Sequence, residues 1–152
     1  MELDDLDKRI LRQLQQDASL TNHALAERVH ASPPTCLRRV NRLVSEGVIA
    51  RQIALLAAGK IGNSLTAIVE ITLDHQATEK LLEFERLVAQ EGAVQQCYRV
   101  SPGPDFVLII HVKDMDAYHQ LAHRLFASQS NVRNVKTYFS ILRSKFDPSV
   151  EV

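Results

Sequence analysis

The chain has 152 residues, of which 45% are hydrophobic and 24% charged, and its 18 Lys and Arg residues balance 18 Asp and Glu residues. This composition is typical of a folded globular protein and excludes a disordered chain. Apolar runs are short and residues 1–9 are acidic, so we predict neither a membrane span nor a signal peptide and expect a cytoplasmic protein. Cys36 and Cys97 lie far apart, which argues against a disulfide framework or a zinc site, and we expect both to be buried.

The first 30 residues predict two helices. The first begins near Asp4, with Asp7 as a partner in a capping box, and has apolar residues at helical spacing: Leu6, Ile10, Leu11 and Leu14. The second begins at Thr21 and runs to about His30. Only a few residues separate it from the next helix start, which is the spacing of a helix-turn-helix.

A third helix is predicted between Ser32 and Gly47, with Pro33 as its first residue. At 100° per residue, one arc of this helix is apolar and consists of Cys36, Leu37, Val40, Leu43 and Val44. The opposite arc is polar and consists of Thr35, Arg38, Asn41, Arg42 and Ser45, with Arg39 on its flank. One face can therefore be buried while the other contacts a partner.

Positive charge is concentrated around this third helix. Within residues 32–51, Arg38, Arg39, Arg42 and Arg51 accompany one acid, Glu46. Arginine suits both phosphate oxygens and the guanine edge, so the pattern favours a DNA recognition helix; the alternative is an amphipathic helix with a solvated basic face. Arg38 and Arg42 are expected to point most directly outward, whereas Arg39 either clamps phosphate or pairs with an acid of the first helix. The predicted DNA-contacting residues are Ser32, Pro34, Thr35, Arg38, Arg39, Asn41, Arg42 and Arg51, and of these Pro34, Arg38 and Asn41 are expected to set the sequence that is read.

After Gly47 the pattern becomes extended, and residues 51–56 predict a strand that is either a wing or the start of another domain. Residues 57–64 contain two glycines and an Asn-Ser pair and are predicted to be a linker. The resulting boundaries are a DNA-binding domain over 1–50, a connecting strand and linker over 51–64, a second domain over 65–142 and a tail over 143–152.

The second domain reads strand, helix, strand, strand, helix, strand. The predicted elements are a strand over 65–73, a helix capped by Thr78, a hairpin of strands 94–100 and 106–112 joined by loop 101–105, a helix from Asp114 or Asp116, and a strand over 132–142. We expect Leu81, Leu82, Phe84, Leu87 and Val88 on the buried side of its first helix. This order predicts an α+β fold with a ferredoxin-like βαββαβ domain, which leaves one sheet face uncovered. An uncovered apolar face favours a dimer.

Two histidines on the last predicted helix, His119 and His123, have a spacing that can bind metal. No nearby acid or cysteine completes a site, so solvated or interfacial side chains are the favoured reading. Together with His111 they form no recognisable acid–base set. We therefore predict no catalytic residues, no metal and no cofactor.

Several motifs together resemble the Lrp/AsnC family of bacterial and archaeal transcription regulators. They are Leu3-Asp4-Asp5-Leu6-Asp7, Leu25-Ala26-Glu27-Arg28-Val29, Ser32-Pro33, Cys36-Leu37, Arg39-Val40, Arg42-Leu43 and Glu46-Gly47-Val48-Ile49, with Val69-Glu70-Ile71-Thr72-Leu73 and Thr137-Tyr138 later in the chain. The resemblance implies a winged helix-turn-helix joined to a ferredoxin-like regulatory (RAM) domain. It also implies dimers, often four to a ring as an octamer, and small effectors, commonly amino acids, bound near the loop that joins the second and third strands.

Here that loop is 101–105, and the effector-binding residues implied by the resemblance are Tyr98, Ser101, Gly103, Asp105, Met115 and Thr137. The family commonly has glycine directly after the Ser or Thr, whereas this chain has Pro102 there, Gly103 next and then a second proline. Asp105 either accepts from an α-amino group or stiffens the hairpin. Tyr98 and Met115 either line the pocket or pack in the core.

The resemblance and the residues together predict a sequence-specific DNA-binding regulator that a small effector, in this family commonly an amino acid, modulates through assembly. Two alternatives come from other classes. Some proteins that resemble this family are haem-pathway decarboxylases, but this chain keeps the basic helix that such an enzyme could lose. A stand-alone effector-binding module would leave the first 60 residues without a role.

Overall fold

A computed structural model describes residues 2–152 and divides into two compact units. The helical unit consists of the residues up to Leu55 together with Lys145–Val152, and the α/β unit consists of Leu56–Ser144. The polypeptide thus leaves the helical unit once and returns to it. The returning segment lies within the predicted tail over 143–152.

Three helices form the helical unit, namely α1 (Asp5–Gln16), α2 (Asn22–Arg28) and α3 (Pro33–Ser45). The predicted starts are confirmed, because Asp4, Thr21 and Ser32 each accept a hydrogen bond from a backbone N–H of the first turn. The capping box of Asp4 and Asp7 is present as well. The helices enclose a small core of Ile10, Leu11, Leu25, Ala26, Val29, Cys36 and Leu43.

The apolar arc of α3 is only partly buried. Leu37 and Val44 are 50% and 51% exposed, because α1 and α2 cover a strip of α3 narrower than the arc.

The predicted strand over 51–56 is wrong. Residues 51–57 belong to no helix or strand, since no neighbouring strand lies there to accept their backbone hydrogen bonds. The chain instead folds back at the end of α3, where Ile49 N–H donates to the Leu43 carbonyl at 3.0 Å. Within the predicted linker, Ala58–Ile61 forms one turn of 3₁₀ helix.

The α/β unit has the predicted ferredoxin-like order of elements. They are β1 (Leu65–Leu73), α4 (Thr78–Ala89), β2 (Val94–Arg99), β3 (Phe106–Val112), α5 (Met115–Ala122), which continues into a π-helical turn at His123–Ala127, and β4 (Val132–Phe139). The sheet order is β2-β3-β1-β4, and all neighbouring strands are antiparallel. Strands β2 and β4 end earlier than predicted.

The sheet has one face covered by α4 and α5 and one that they leave open. The covered face supplies the core, which includes Val69, Ile71, Phe106, Leu108 and Ile110. Alternation along the strands places the next set of residues on the other face, which we call the open face: Ile68, Glu70, Tyr98, Val107, Ile109 and Tyr138. The predicted uncovered face is therefore present within this chain.

Three further predictions in this unit are wrong. Thr78 is the first residue of α4 rather than its cap, which is Ala77 and supplies no side-chain hydrogen bond. Leu82 lies on the exposed side of α4. Cys97 is exposed because β2 is an edge strand, whereas Cys36 is buried as predicted.

None of the helices in the described chain is both long and apolar enough to traverse a lipid bilayer.

Candidate nucleic-acid interface and ligand loop

The position of α3 is fixed at both of its ends. At the start, Ser32 Oγ accepts from Thr35 N–H at 3.4 Å, and Asn22 of α2 donates its side-chain N–H to the Pro33 carbonyl at 2.9 Å. At the end, Gly47 adopts φ +72°, a left-handed conformation that glycine reaches without strain. Helix α2 thus holds the first turn of α3, as a helix-turn-helix requires.

A buried carboxylate connects α1 to α3. Asp7 has no solvent exposure, and its oxygens accept hydrogen bonds from Arg39, at 3.2 Å, and from Arg42. Arg39 also donates to Asp4 at 2.5 Å. The Asp7 backbone N–H and the Arg39 guanidinium lower the pKa of Asp4 from 3.8 to about 2. Two acids and two arginines therefore form one ion-pair cluster, which we call the Asp7 cluster.

The Asp7 cluster changes which arginines face outward. The prediction that Arg42 points directly outward is wrong, because its guanidinium contacts Asp7 and its side chain is only 39% exposed. Of the two roles considered for Arg39, the structure shows the pairing with acids of the first helix, and its side chain is 19% exposed. Arg38 is exposed and has no ion-pair partner among the residues that the structure describes.

The remaining predicted DNA-contacting residues differ in exposure. Pro34 and Asn41 are exposed beside Arg38 on α3, and Ser32 is exposed at its start. Thr35 is half-buried and accepts at 2.8 Å from the Ser32 hydroxyl. Arg51 is exposed in the segment that follows α3.

In the α/β unit, loop 101–105 joins β2 to β3 as predicted. The Ser101–Pro102 peptide bond is cis, and Gly103 has φ +111°. Asp105 lies where the loop meets β1: its carboxylate accepts from Leu73 N–H at 2.7 Å, and its own N–H donates to the Ile71 carbonyl at 2.8 Å. The Asp105 side chain therefore braces the loop against the end of β1.

The other predicted effector-binding residues lie apart within one chain. Tyr98 is on the open face and donates its hydroxyl to Gln96 at 2.7 Å. Thr137 is on the helix-covered face, where its hydroxyl lies 2.5 Å from that of the buried Tyr118. Met115 is exposed after the end of β3, whereas loop 101–105 precedes that strand. Ser101, Gly103 and Asp105 share loop 101–105.

Two family models match this chain. A winged helix-turn-helix DNA-binding model matches residues 3–50, and the Lrp/AsnC ligand binding domain matches residues 66–150. The leucine-responsive regulatory protein of Rhizobium meliloti is 36% identical over 152 residues, covering 100% of this chain and 97% of that protein. Its namesake from Escherichia coli strain K12 is 36% identical over 137 residues, covering 90% and 84%. The chain belongs to the Lrp/AsnC family of transcriptional regulators.

Solved Lrp/AsnC-type structures share the whole fold. A transcriptional regulator from Neisseria meningitidis, solved as a complex with L-Met, superposes with a TM-score of 0.92 at 28% identity, covering 98% of this chain and 96% of that one. An AsnC family regulator from Agrobacterium tumefaciens gives 0.92 at 32% identity, covering 97% and 96%. The chain is thus a DNA-binding transcriptional regulator with a ligand-binding domain. Its named relatives are regulators rather than enzymes, as the sequence predicted.

Sequence reasoning on this Lrp/AsnC chain overlooked one structural residue of the candidate interface. The sequence predicts Asp7 as a capping-box partner, which it is, and it allows Arg39 to pair with an acid of the first helix, but it identifies neither Asp7 as that acid nor Arg42 as its second partner. The signal was present: Asp7 stands three and four residues before Ile10 and Leu11, on the buried stripe of α1. A carboxylate at such a position needs a cation or several donors.

For metal binding, the part of the chain that the structure describes contains no cluster of three or more His, Cys, Asp or Glu side chains able to hold an ion. His119 and His123 are both exposed on the last helix and its π turn.

Proposed function

We propose that this Lrp/AsnC regulator reads a specific DNA sequence with the exposed face of α3, and that a small amino-acid-type effector modulates the reading through self-association. The observation that supports the DNA-reading face most strongly is the exposed set Pro34, Arg38 and Asn41, held by α2 and the Asp7 cluster. In a helix-turn-helix the corresponding face enters the major groove.

The arginines then have different roles. Arg38 is the free cation of α3 and contacts a base edge or phosphate. Arg39 is a positioning residue, since Asp4 and Asp7 hold its guanidinium. Arg42 pairs with Asp7 and contacts phosphate with its exposed portion, while Arg51 contacts phosphate beyond the helix.

Single substitutions test the reading face, with a binding site first obtained by in vitro selection from genomic DNA. Arg38→Ala should weaken binding by about 1–3 kcal/mol, the range for an arginine that contacts a base. Arg42→Ala should weaken it as well, and should also lower the thermal stability because Asp7 loses a partner. Arg86→Ala on α4 is the matched control, since it removes an exposed arginine far along the chain. Fluorescence anisotropy at two salt concentrations measures binding, and unchanged affinity in Arg38→Ala and Arg42→Ala would remove α3 from the contact surface.

For the effector, the proposal rests on the ligand-binding domain and on the L-Met complex of the Neisseria meningitidis relative. In this chain Pro102 and Pro104 lack backbone donors, and the Asp105 carboxylate is already engaged by Leu73 N–H. Tyr98, Met115 and Thr137 lie outside the loop, on β2, at the start of α5 and on β4. A complete site would therefore include residues of a second copy, which connects effector binding to assembly.

An effector bound between copies would change how dimers associate and which DNA half-sites can be occupied together. Coupling of this kind is typically about 1–3 kcal/mol. Light scattering and DNA titration, each with and without a panel of amino acids, test this step. We expect at least one amino acid to change both the mass and the DNA affinity. If neither changes with any member of the panel, the effector part of the proposal is wrong while the DNA-reading part stands.

A further inference from the structure

The last eight residues, Lys145–Val152, belong to the helical unit although they follow the α/β unit in sequence. We propose that they act as a strap, which docks on α1 and gives the ligand-binding unit a second, non-covalent connection to the DNA-binding helices. The first connection is the segment between Gly47 and Leu65. A displacement at the end of β4 would then be transmitted to α1 through the strap as well as through that segment.

Hydrogen bonds to the main chain attach the strap to α1. The Gln15 side chain donates to the Val150 carbonyl at 2.9 Å and accepts from Val150 N–H at 2.7 Å, so one amide pairs with the strap as a neighbouring strand would. Arg12 donates to the main-chain oxygen of Val152 at 2.5 Å. Arg12 and Gln15 both bind backbone atoms of the strap. They therefore hold its main chain in place whatever side chains it carries.

Apolar contacts accompany these hydrogen bonds. The Val152 side chain packs against the core of the helical unit, next to Leu14 and Ile49 among its half-buried members. Beside it is a cavity of about 350 Å³, lined by Leu11 and Leu14 of α1, by Ile53, and by Pro148 and Val150 of the strap. The strap thus closes one side of an apolar groove that would otherwise open to solvent.

Docking restrains motion only if the strap stays bound in solution, and the variant Gln15→Met tests this in the full chain. Methionine keeps the length of the side chain and removes both hydrogen bonds to Val150. Gln16→Met is the matched control, since Gln16 is exposed on the same helix and its side chain forms no hydrogen bond to the strap. Circular dichroism checks that both variants keep their helices.

The first measurement is hydrogen–deuterium exchange of the strap by mass spectrometry. We expect the Val150 amide to exchange about tenfold faster in Gln15→Met than in the wild type, as for the loss of one or two net hydrogen bonds. Gln16→Met should exchange like the wild type. A strap that already exchanges in the wild type at the rate of a synthetic peptide of residues 145–152 would overturn the proposal.

The second measurement tests the coupling itself. A dye is attached at His23→Cys on α2 in a Cys97→Ser background, because His23 is exposed and the other cysteine, Cys36, is buried. Time-resolved fluorescence anisotropy should show a larger fast segmental component in Gln15→Met, since one of the two connections is weakened, and no change in Gln16→Met. If releasing the strap leaves the segmental component unchanged, docking carries no mechanical coupling and the proposal fails.

Discussion

A single side chain, the Asp7 carboxylate, ties α1 to α3. It is fully buried and is shared by two arginines that the recognition helix presents from successive turns. Removing one member of such a buried pair leaves the other charges poorly compensated, which is more costly than losing an exposed ion pair. The same contact occupies N–H donors of both guanidinium groups that would otherwise be available to phosphate.

Asp7→Asn should therefore lower stability and alter DNA binding in separable ways. We expect a loss of about 2–3 kcal/mol in the free energy of unfolding, at the lower end of the range for broken buried pairs, because Arg42 is partly exposed and Arg39 retains Asp4. At temperatures where the variant is folded, the salt dependence of DNA binding should steepen, because Arg42 is freed from Asp7 and more of its guanidinium reaches phosphate. Urea unfolding followed by circular dichroism and binding titrations at several salt concentrations measure the two effects. Asp5→Asn, an exposed acid of the same turn, is the control, and equal stability of both variants would contradict this role of Asp7.

The backbone around these residues could be predicted closely, whereas side-chain pairing could not. Helix caps and C-terminal glycines depend only on neighbouring residues. The sequence therefore predicts these helix ends correctly, at Asp4, Thr21, Ser32 and Gly47. The direction of a long side chain depends on which partner lies across the interface. The position of Arg42 on the helix predicts that its side chain points to solvent. In the structure α1 packs against α3, and the Arg42 side chain turns toward Asp7.

Among the elements, the β2–β3 hairpin shows how one carboxylate fixes a loop that the sequence associates with ligand. Leu73 N–H is at the buried end of β1, beyond the last hydrogen-bonded pair with β3, and Asp105 supplies its acceptor. A buried N–H without an acceptor costs about 1–3 kcal/mol.

Asp105→Ala should consequently destabilise the α/β unit by about 1–3 kcal/mol in the absence of any effector. Asp105→Asn should cost less, because the amide oxygen can still accept from Leu73 N–H. Asp116→Ala, an exposed acid in the first turn of α5, serves as the control. Denaturant unfolding monitored by circular dichroism distinguishes the cases. Full stability of Asp105→Ala would mean that this side chain is available for ligand rather than required by the fold.

Elements that depend on distant neighbours were the ones that sequence reasoning placed wrongly. Residues 51–56 have strand-forming side chains, yet no strand lies beside them, and so they stay irregular. The path of residues 145–152 depends on Gln15 and Arg12, more than 130 residues earlier in the chain. By contrast, the βαββαβ order follows from local alternation and turn signals, and it was predicted correctly.

For the molecule as a whole, the open face is the surface that a second copy would cover. Cross-strand pairing places Ile109 at its centre, opposite Ile68 of β1 and Gln96 of β2, with Tyr138 of β4 beyond Ile68. These side chains are half-buried or exposed in one chain, and the apolar ones lie beside polar neighbours such as Glu70 and Lys136. Burying the apolar side chains of this face against a partner removes them from water, which favours association.

Ile109→Glu should therefore weaken self-association through this face by at least about 100-fold, because an unpaired carboxylate would have to be desolvated in the interface. The glutamate stays solvated in a single chain, so the fold should persist, as circular dichroism can verify. Leu82→Glu is the matched control, since it adds the same charge at an exposed leucine on α4. Sedimentation velocity over a range of concentrations should then show a smaller species for Ile109→Glu and the wild-type species for Leu82→Glu. Identical sedimentation of the two variants would assign assembly to another surface.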